Sequence, residues 1–366
     1  MSKRKIAVLG GGHGARTVAA DMTLAGHEIR LFEFEEFHEN VAEIFERREI
    51  RIDGKSRNGN AKLALATHDI REAIDRTDAI LIIVPALYHR KYAEILAPCL
   101  RDSQHVALVP GTLGSLEFIA RVRESGCRAD ITVSELDTLP YATRITGPGS
   151  VHVYHALPMF GAGVFPARRS SEVLSILQDL YPRITGFRDV LEAGLSNCNP
   201  VIHPLGVLMN AGRIEYSRGE FWYYEEGITP ATARAMEKLD RERLEIGRRL
   251  GLDLPGQAEA LHAVDYGPKG DLWETLKGSK GLTPIKGPTS LKNRYLTEDV
   301  PIGLVCWSQL GEMLGVPTPL MRATVEIGMA ISGENYWETG RTIEKCGISN
   351  MSAEELCGYV QSGKKL

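Results

Sequence analysis

The sequence predicts an α/β domain built on a parallel sheet, followed by a mostly helical domain. Three observations predict it. A glycine-rich turn joins an apolar strand to a helix in KIAVLGGGHGA at the start of the chain, short apolar runs alternate with helical segments through the first half, and beyond Arg188 β-branched runs become rare and the 3.6-residue period of amphipathic helices takes over. A chain of 366 residues exceeds what one compact core usually holds, which agrees with two domains, placed here at residues 1–187 and 188–366.

Ile6, Val8 and Leu9 make a short buried strand, and Gly10, Gly12 and Ala15 then supply the spacing G-x-G-x-x-A. Gly10 permits the tight turn, Gly12 lets the backbone approach a pyrophosphate, and Ala15 allows close packing of helix on strand. The helix start at His13 and Gly14 faces the negative charge. A second strand, Ile29 to Phe34, carries Glu33 about 20 residues beyond the glycines, where an acid hydrogen-bonds the adenosine ribose of a dinucleotide. This reads as a Rossmann-like domain. Glu33 favours NAD over NADP because a carboxylate repels a 2′-phosphate, and Phe34, Glu35 and Glu36 follow it with no compensating Arg.

Further along, Asp78 introduces AILIIVP, a continuous apolar run of the kind covered on both faces in a parallel sheet, and YHRKYAEIL then starts a helix. A strand at Val106–Val109 ends in Pro110 and Gly111 before the helical LGSLEFIARV. Another strand, Ile131–Val133, leads into SELDTLPYATR, and GSVHVYHALPMF alternates as antiparallel strands do. SSEVLSILQDLYP is a helix stopped by Pro182. In an open α/β sheet the ligand lies beyond the C-terminal strand ends, so Val84 and Pro85 border the cofactor. In the second half TPATARAMEKLDRERLEIGRRLG has Thr229 as N-cap, Pro230 in the first turn and Gly251 after the end. GSKGLTPIKGPTS reads as a long loop near a site or interface.

Formal net charge is −4 with pI near 6.2 and no long run of one sign, which argues against nucleic acid or a membrane surface as partner. No apolar run reaches transmembrane length and no signal-peptide core precedes a cleavage site, so a cytoplasmic protein is expected. The six cysteines form no C-x-x-C pair, which fits reduced thiols rather than a disulfide framework or a metal site.

The helical half must supply an acid–base group. Asn199 and His203, four apart in SNCNPVIHPLGVLMNAGR, share one helix face, with Ser196 a turn earlier and Asn197 pointing away, while Pro200 and Pro204 suggest an irregular or kinked stretch. In NRYLTEDVPIGLV, Arg294 and Asp299 sit before an apolar run; an Arg can clamp a carboxylate and a buried Asp can orient an imidazole, while a surface ion pair and a helix cap fit the same spacing. The cluster Phe221, Trp222, Tyr223 and Tyr224 fits a pocket lining, a packed core or a dimer contact.

With these residues in view, the chain resembles the opine dehydrogenases, the octopine and nopaline dehydrogenase family, nearly from end to end. The resemblance rests on VLGGGHGA, VPALYH, the Asn199, His203 and Pro204 of N-x-x-x-H-P, YYEEGITP, NRYLTEDVPIGLV and GRTIEKCGI. It implies a Rossmann-like domain joined to a mostly helical one and NADH-dependent condensation of an amino acid with a 2-oxo acid such as pyruvate. His203 is then the acid–base residue, Asp299 its partner and Arg294 the carboxylate binder. The partners implied are small molecules, with a homodimer compatible. A hydroxy-acid dehydrogenase and a non-catalytic NAD sensor are the alternatives left open.

Overall fold

In the computed structural model, which describes residues 2–365, the chain divides into two compact units. One holds the chain up to Gly194 together with Val360–Gly363, and the other holds Leu195–Tyr359 and the lysines after Gly363.

The first unit opens with β1 (Lys5–Leu9), α1 (His13–Leu24), β2 (Glu28–Phe32), α2 (His38–Arg47), β3 (Glu49–Gly54), β4 (Gly59–Lys62), β5 (Leu65–Thr67) and α3 (Ile70–Ile74). It continues through β6 (Ala79–Ile82), α4 (His89–Leu96), β7 (His105–Leu108), α5 (Gly114–Glu124) and β8 (Thr132–Leu136), then β9 (Tyr141–Gly147), β10 (Ser150–Ala156), β11 (Phe160–Phe165), α6 (Ser170–Leu180) and β12 (Ile184–Gly186). Eight strands form the main sheet in the order β12-β11-β8-β7-β6-β1-β2-β5. β1 pairs in parallel with both β2 and β6, so the chain winds outward from it in both directions. That reversal leaves a crevice past the C-terminal ends of β1 and β6. β6 and β7 are buried at every position because both faces of the sheet are covered, as the run AILIIVP requires.

The segment GSVHVYHALPMF is shared between two sheets. Ser150–Ala156 pairs antiparallel with β9 in a second sheet, ordered β4-β3-β10-β9, whereas Phe160 begins β11, which runs antiparallel to β8 in the main sheet. No local pattern announces this smaller sheet, since its β3–β10 pairing joins Arg51 to Ser150 across the whole central part of the domain. Helix α1 packs against both sheets. Its residues from Ala15 to Met22 are therefore buried, and the polar ones find partners there: Asp21 takes Arg57 Nη1 and the Tyr141 hydroxyl, each at 2.8 Å, and Thr17 Oγ1 meets Thr143 Oγ1 at 2.7 Å. The second strand also ends earlier than expected, at Phe32, so that Glu33 and Phe34 lie just beyond it and lead into a short turn at Glu35–Phe37.

After α7 (Val190–Ser196), the second unit is built from α8 (Asn199–Met209), α9 (Ala211–Ser217), α10 (Pro230–Arg249), α11 (Gln257–Ala263), α12 (Leu272–Lys277), α13 (Arg294–Thr297), α14 (Val305–Met313), α15 (Pro319–Ser332), α16 (Tyr336–Thr339) and α17 (Ala353–Ser362) as far as Tyr359. The predicted caps of α10 are present: Thr229 Oγ1 accepts from Thr232 N at 3.3 Å, and Gly251 turns the chain at φ +68°. Helix α8 is not broken by its prolines. Pro200 sits in the first turn, where a backbone N–H has no partner to lose, and Pro204 removes only the one helical bond to the Pro200 carbonyl. Ser196 belongs to α7, not to the His203 face, because Asn197 and Cys198 interrupt the helix. Two π-helical segments, Tyr223–Gly227 and Asp299–Leu304, complete this unit.

Candidate active site

The nucleotide cleft of the first unit is defined mainly by backbone. Gly10 has φ +118°, and a Cβ there would stand 2.7 Å from the Ile83 carbonyl oxygen, so the turn requires glycine. At Gly12, which caps α1, a Cβ would meet nothing within 4 Å: the loop faces open space where a pyrophosphate can approach the helix N-terminus. Gly14 faces Leu139 and Ile83, and Ala15 is fully buried against the sheet. Val84 and Pro85 border a cavity of about 420 Å³ together with Gly11, Gly12 and Glu33. A dinucleotide fits this frame.

Glu33 is nearly buried, and its carboxylate accepts from the backbone N–H of Phe34 at 2.8 Å and from that of Gly11. Burial pushes its pKa above the ordinary carboxylate range, and the two N–H donors, Arg16 and His68 pull against that. Arg16 is a residue the sequence reading missed. It lines the same cavity at 2% exposure, with Nε donating to Gly11 O at 2.7 Å and Nη1 to Pro148 O at 2.8 Å, so it ties the glycine loop to the β9–β10 turn. Sequence spacing points to the positions just after Glu33 for a cation, whereas a residue one helical turn past Gly12 reaches the same cavity. His13, expected at the phosphate end of α1, also engages its side chain, with Nδ1 accepting from Ile145 N at 2.8 Å. Below the neighbouring loop the fully buried Glu135 accepts from Leu113 N and Ser115 N, both at 2.8 Å, and holds the PGTLG turn against the sheet.

The second unit gathers side chains around His203. Its Nδ1 lies 2.7 Å from Asp299 Oδ2 and its Nε2 lies 3.1 Å from the Tyr224 hydroxyl. The Tyr295 ring stacks on the imidazole at 3.8 Å and 16°. Tyr223 donates its hydroxyl to the His203 carbonyl oxygen at 2.9 Å. The imidazole is thus fixed from both edges and one face. Asp299 and Tyr224 each sit at the start of a π-helical segment, the wide turn that recurs at functional sites. Phe221, Tyr223 and Tyr224 are packed inside the unit, while Trp222 stays partly exposed under Lys286, whose Nζ lies 4.2 Å from the ring centroid. The long loop supports them: Tyr223 N donates to Ile285 O, and Gly287 N donates to Phe221 O, both at 2.8 Å.

Arg294 and Asn199 stand apart from this cluster. Arg294 opens α13 with its side chain more than half exposed and its Nε 3.3 Å from Glu298 Oε2. Desolvation works against its charge, but Glu298 and then Asp299 outweigh it and hold the guanidinium above its ordinary pKa. Asn199 is half-buried one turn before His203, and its Oδ1 accepts from the Cys198 thiol at 3.6 Å.

A family described as NAD/NADP octopine/nopaline dehydrogenase, alpha-helical domain, matches residues 187–332, and one described as NAD-dependent glycerol-3-phosphate dehydrogenase N-terminus matches residues 5–122. The opine dehydrogenase of Arthrobacter sp. (strain 1C) is 34% identical over 363 residues, covering 99% of this chain and 100% of the relative. The chain belongs to the opine dehydrogenase family. The vitopine synthase of Allorhizobium ampelinum is 28% identical over 94% of the chain and 95% of its own length. A solved octopine dehydrogenase in complex with NADH and agmatine shares the fold at TM-score 0.81 and 21% identity, covering 100% of this chain and 99% of that one. This opine dehydrogenase is an NAD-dependent oxidoreductase acting on a CH–NH bond, and its reaction is the reductive condensation of an amino acid with a 2-oxo acid. Its partners are small molecules. Among the described residues no helix is long and apolar enough to cross a membrane.

Proposed function

We propose that His203 is the acid–base residue of this condensation, with Asp299 as its orienting partner. The observation that carries the reading is the 2.7 Å contact between His203 Nδ1 and the buried carboxylate of Asp299. A carboxylate can only accept, so Nδ1 holds its proton and Nε2 faces the chemistry. When the amine attacks the carbonyl of an oxo acid such as pyruvate, Nε2 takes a proton from the nitrogen and passes it to the alkoxide oxygen, giving a carbinolamine; a second proton carried the same way releases that oxygen as water and leaves the imine. Asp299 stabilises the imidazolium between the two transfers. NADH, when bound, would supply the hydride, and a proton taken up from solvent through His203 completes the secondary amine.

Arg294 is proposed to hold a substrate carboxylate. A guanidinium has five donors, and its pair with Glu298 engages the Nε side. Asn199, on the same helix face as His203, is proposed as a polar contact for the substrate. In the cleft, Gly10, Gly12, His13, Gly14 and Ala15 are proposed to shape the pyrophosphate site, Val84 and Pro85 its wall, and Glu33 the ribose contact that prefers NADH. Cysteines that form no C-x-x-C pair support a cytoplasmic location, and the exposed Ile327 and Ile331, one turn apart on α15, support a homodimer that light scattering would test. The domain division near Arg188 is retained as a proposal, to be tested by expressing the two halves separately.

The decisive experiment crosses a panel of amino acids with pyruvate, glyoxylate and 2-oxoglutarate, follows NADH oxidation, and identifies the N-(carboxyalkyl) product by mass. NADH consumption should require both partners. Consumption with an oxo acid alone, unchanged in rate and product by any amine, would replace this reading with a hydroxy-acid dehydrogenase.

A further inference from the structure

His203 has one nitrogen committed to Asp299, which leaves Nε2 for proton exchange. Nε2 is itself engaged, because the Tyr224 hydroxyl stands 3.1 Å away. With the imidazole proton on Nδ1, Nε2 can only accept, so in the neutral dyad the hydroxyl is the donor. Tyr224 is 4% exposed, lies edge-on to Tyr223 at 4.9 Å between ring centroids, and accompanies Asp299 in being presented by a π-helical turn. Burial pushes its hydroxyl well above the ordinary tyrosine range, which keeps it a neutral donor rather than a phenolate.

We propose that Tyr224 is a positioning residue that acts through His203, donating to Nε2 so as to hold the neutral imidazole in place against the pull of Asp299. The two contacts oppose each other. A carboxylate on Nδ1 favours the imidazolium, while a hydrogen bond donated to Nε2 favours the neutral ring. Tyr295, stacked on the imidazole, adds its π face on the side of the cation. The tyrosine thus opposes the carboxylate on a group that must both take and give a proton.

Of the surrounding charges, Arg294 bears on Asp299, and the others are engaged by partners of their own. From the α13 side come Glu298 and Arg294, paired with each other, and Cys198 lies just before α8. On α10, Asp240 and Arg243 bind one another at 2.7 Å, and Glu242 accepts from Leu320 N and Met321 N at the start of α15. On α15 itself Arg322 pairs with Glu312.

The inference rests on the proposed role of His203, and the test separates the two. In cofactor-free enzyme, the His203 ring is titrated by NMR in the wild type, in Tyr224→Phe, and in enzyme carrying 3-fluorotyrosine at position 224, a stronger donor of similar shape. Tyr224→Phe should move the midpoint upward by roughly half to one pH unit, and fluorotyrosine should move it downward. The acid limb of the kcat profile should follow both shifts, with KM and the NADH Kd changing less than about twofold. Midpoints that coincide in all three enzymes, or that move the same way in both variants, overturn the proposal. Should Tyr224→Phe fail to fold, the direction of the fluorotyrosine shift decides alone. Full turnover in His203→Ala would remove the catalytic reading of His203, while the titration would still report whether Tyr224 biases the ring.

Discussion

The nucleotide cleft and the His203 cluster are built in opposite ways. The cleft is shaped mainly by backbone, where Gly10 at φ +118° and the open space over Gly12 let main-chain N–H groups present themselves to a ligand. The His203 cluster is made by side chains from distant stretches, with Tyr224 and Asp299 lying 21 and 96 residues away from the histidine they contact. A backbone site tolerates changes in neighbouring side chains but not an added Cβ. A side-chain site should respond to loss of a single functional atom. The difference predicts where substitution strikes chemistry and where it strikes cofactor choice.

The largest effect is expected at His203. His203→Ala should lower kcat by roughly 10² to 10⁴, the range for a lost acid–base group, and leave NADH binding, read by fluorescence titration, nearly unchanged. Wild-type turnover in a folded variant would break the comparison outright. Asp299→Asn should come next. It removes the charge that favours imidazolium while keeping the side-chain shape, so kcat should fall and the acid limb of its pH profile should move down by roughly one unit or more. An unmoved limb would mean that Asp299 serves only to pack the segment.

Arg294→Ala should raise KM for the carboxylate-bearing substrate by roughly tenfold or more, as expected for a lost charge-assisted contact, with a smaller change in kcat. Equal KM values would return Arg294 to a plain surface pair with Glu298. In the cleft, Glu33→Ser should narrow the preference for NADH over NADPH by roughly tenfold, since a like-charge repulsion disappears and Arg16 is left beside the site; adding Phe34→Arg should narrow it further. Because burial raises the Glu33 pKa, wild-type discrimination should also fade on acidification at a higher pH than an ordinary carboxylate would allow. Equal use of both cofactors by the wild type would sink the assignment of Glu33.

The smallest effect sharpens the contrast between site and scaffold. Thr229→Ala removes the oxygen that accepts from Thr232 N and should cost about 1 kcal/mol of unfolding free energy, measured by denaturant titration, with kcat unaltered.

What the sequence determined by itself was everything carried by local periodicity and backbone conformation. The glycine turn with its strand and helix, the buried runs of β6 and β7, and the caps of α10 at Thr229 and Gly251 depend on neighbours a few residues away, so the chain spells them out in order. His203, Asp299 and Arg294 could be picked out as candidates, but their spacing alone favoured a core histidine and a surface ion pair with a helix cap. The tertiary structure decided the rest. It paired β3 with β10 into a second sheet, enclosed α1 so that Arg16 and Asp21 became interior charges, and kept α8 continuous through Pro204. It also separated Arg294, which faces Glu298, from Asp299, which turns to His203, although the two lie five residues apart. Tyr224 and Tyr295 belong with these. No period links them to His203, because Tyr224 comes from a π-helical turn and Tyr295 from α13, and only the fold brings these separate stretches of chain onto one imidazole.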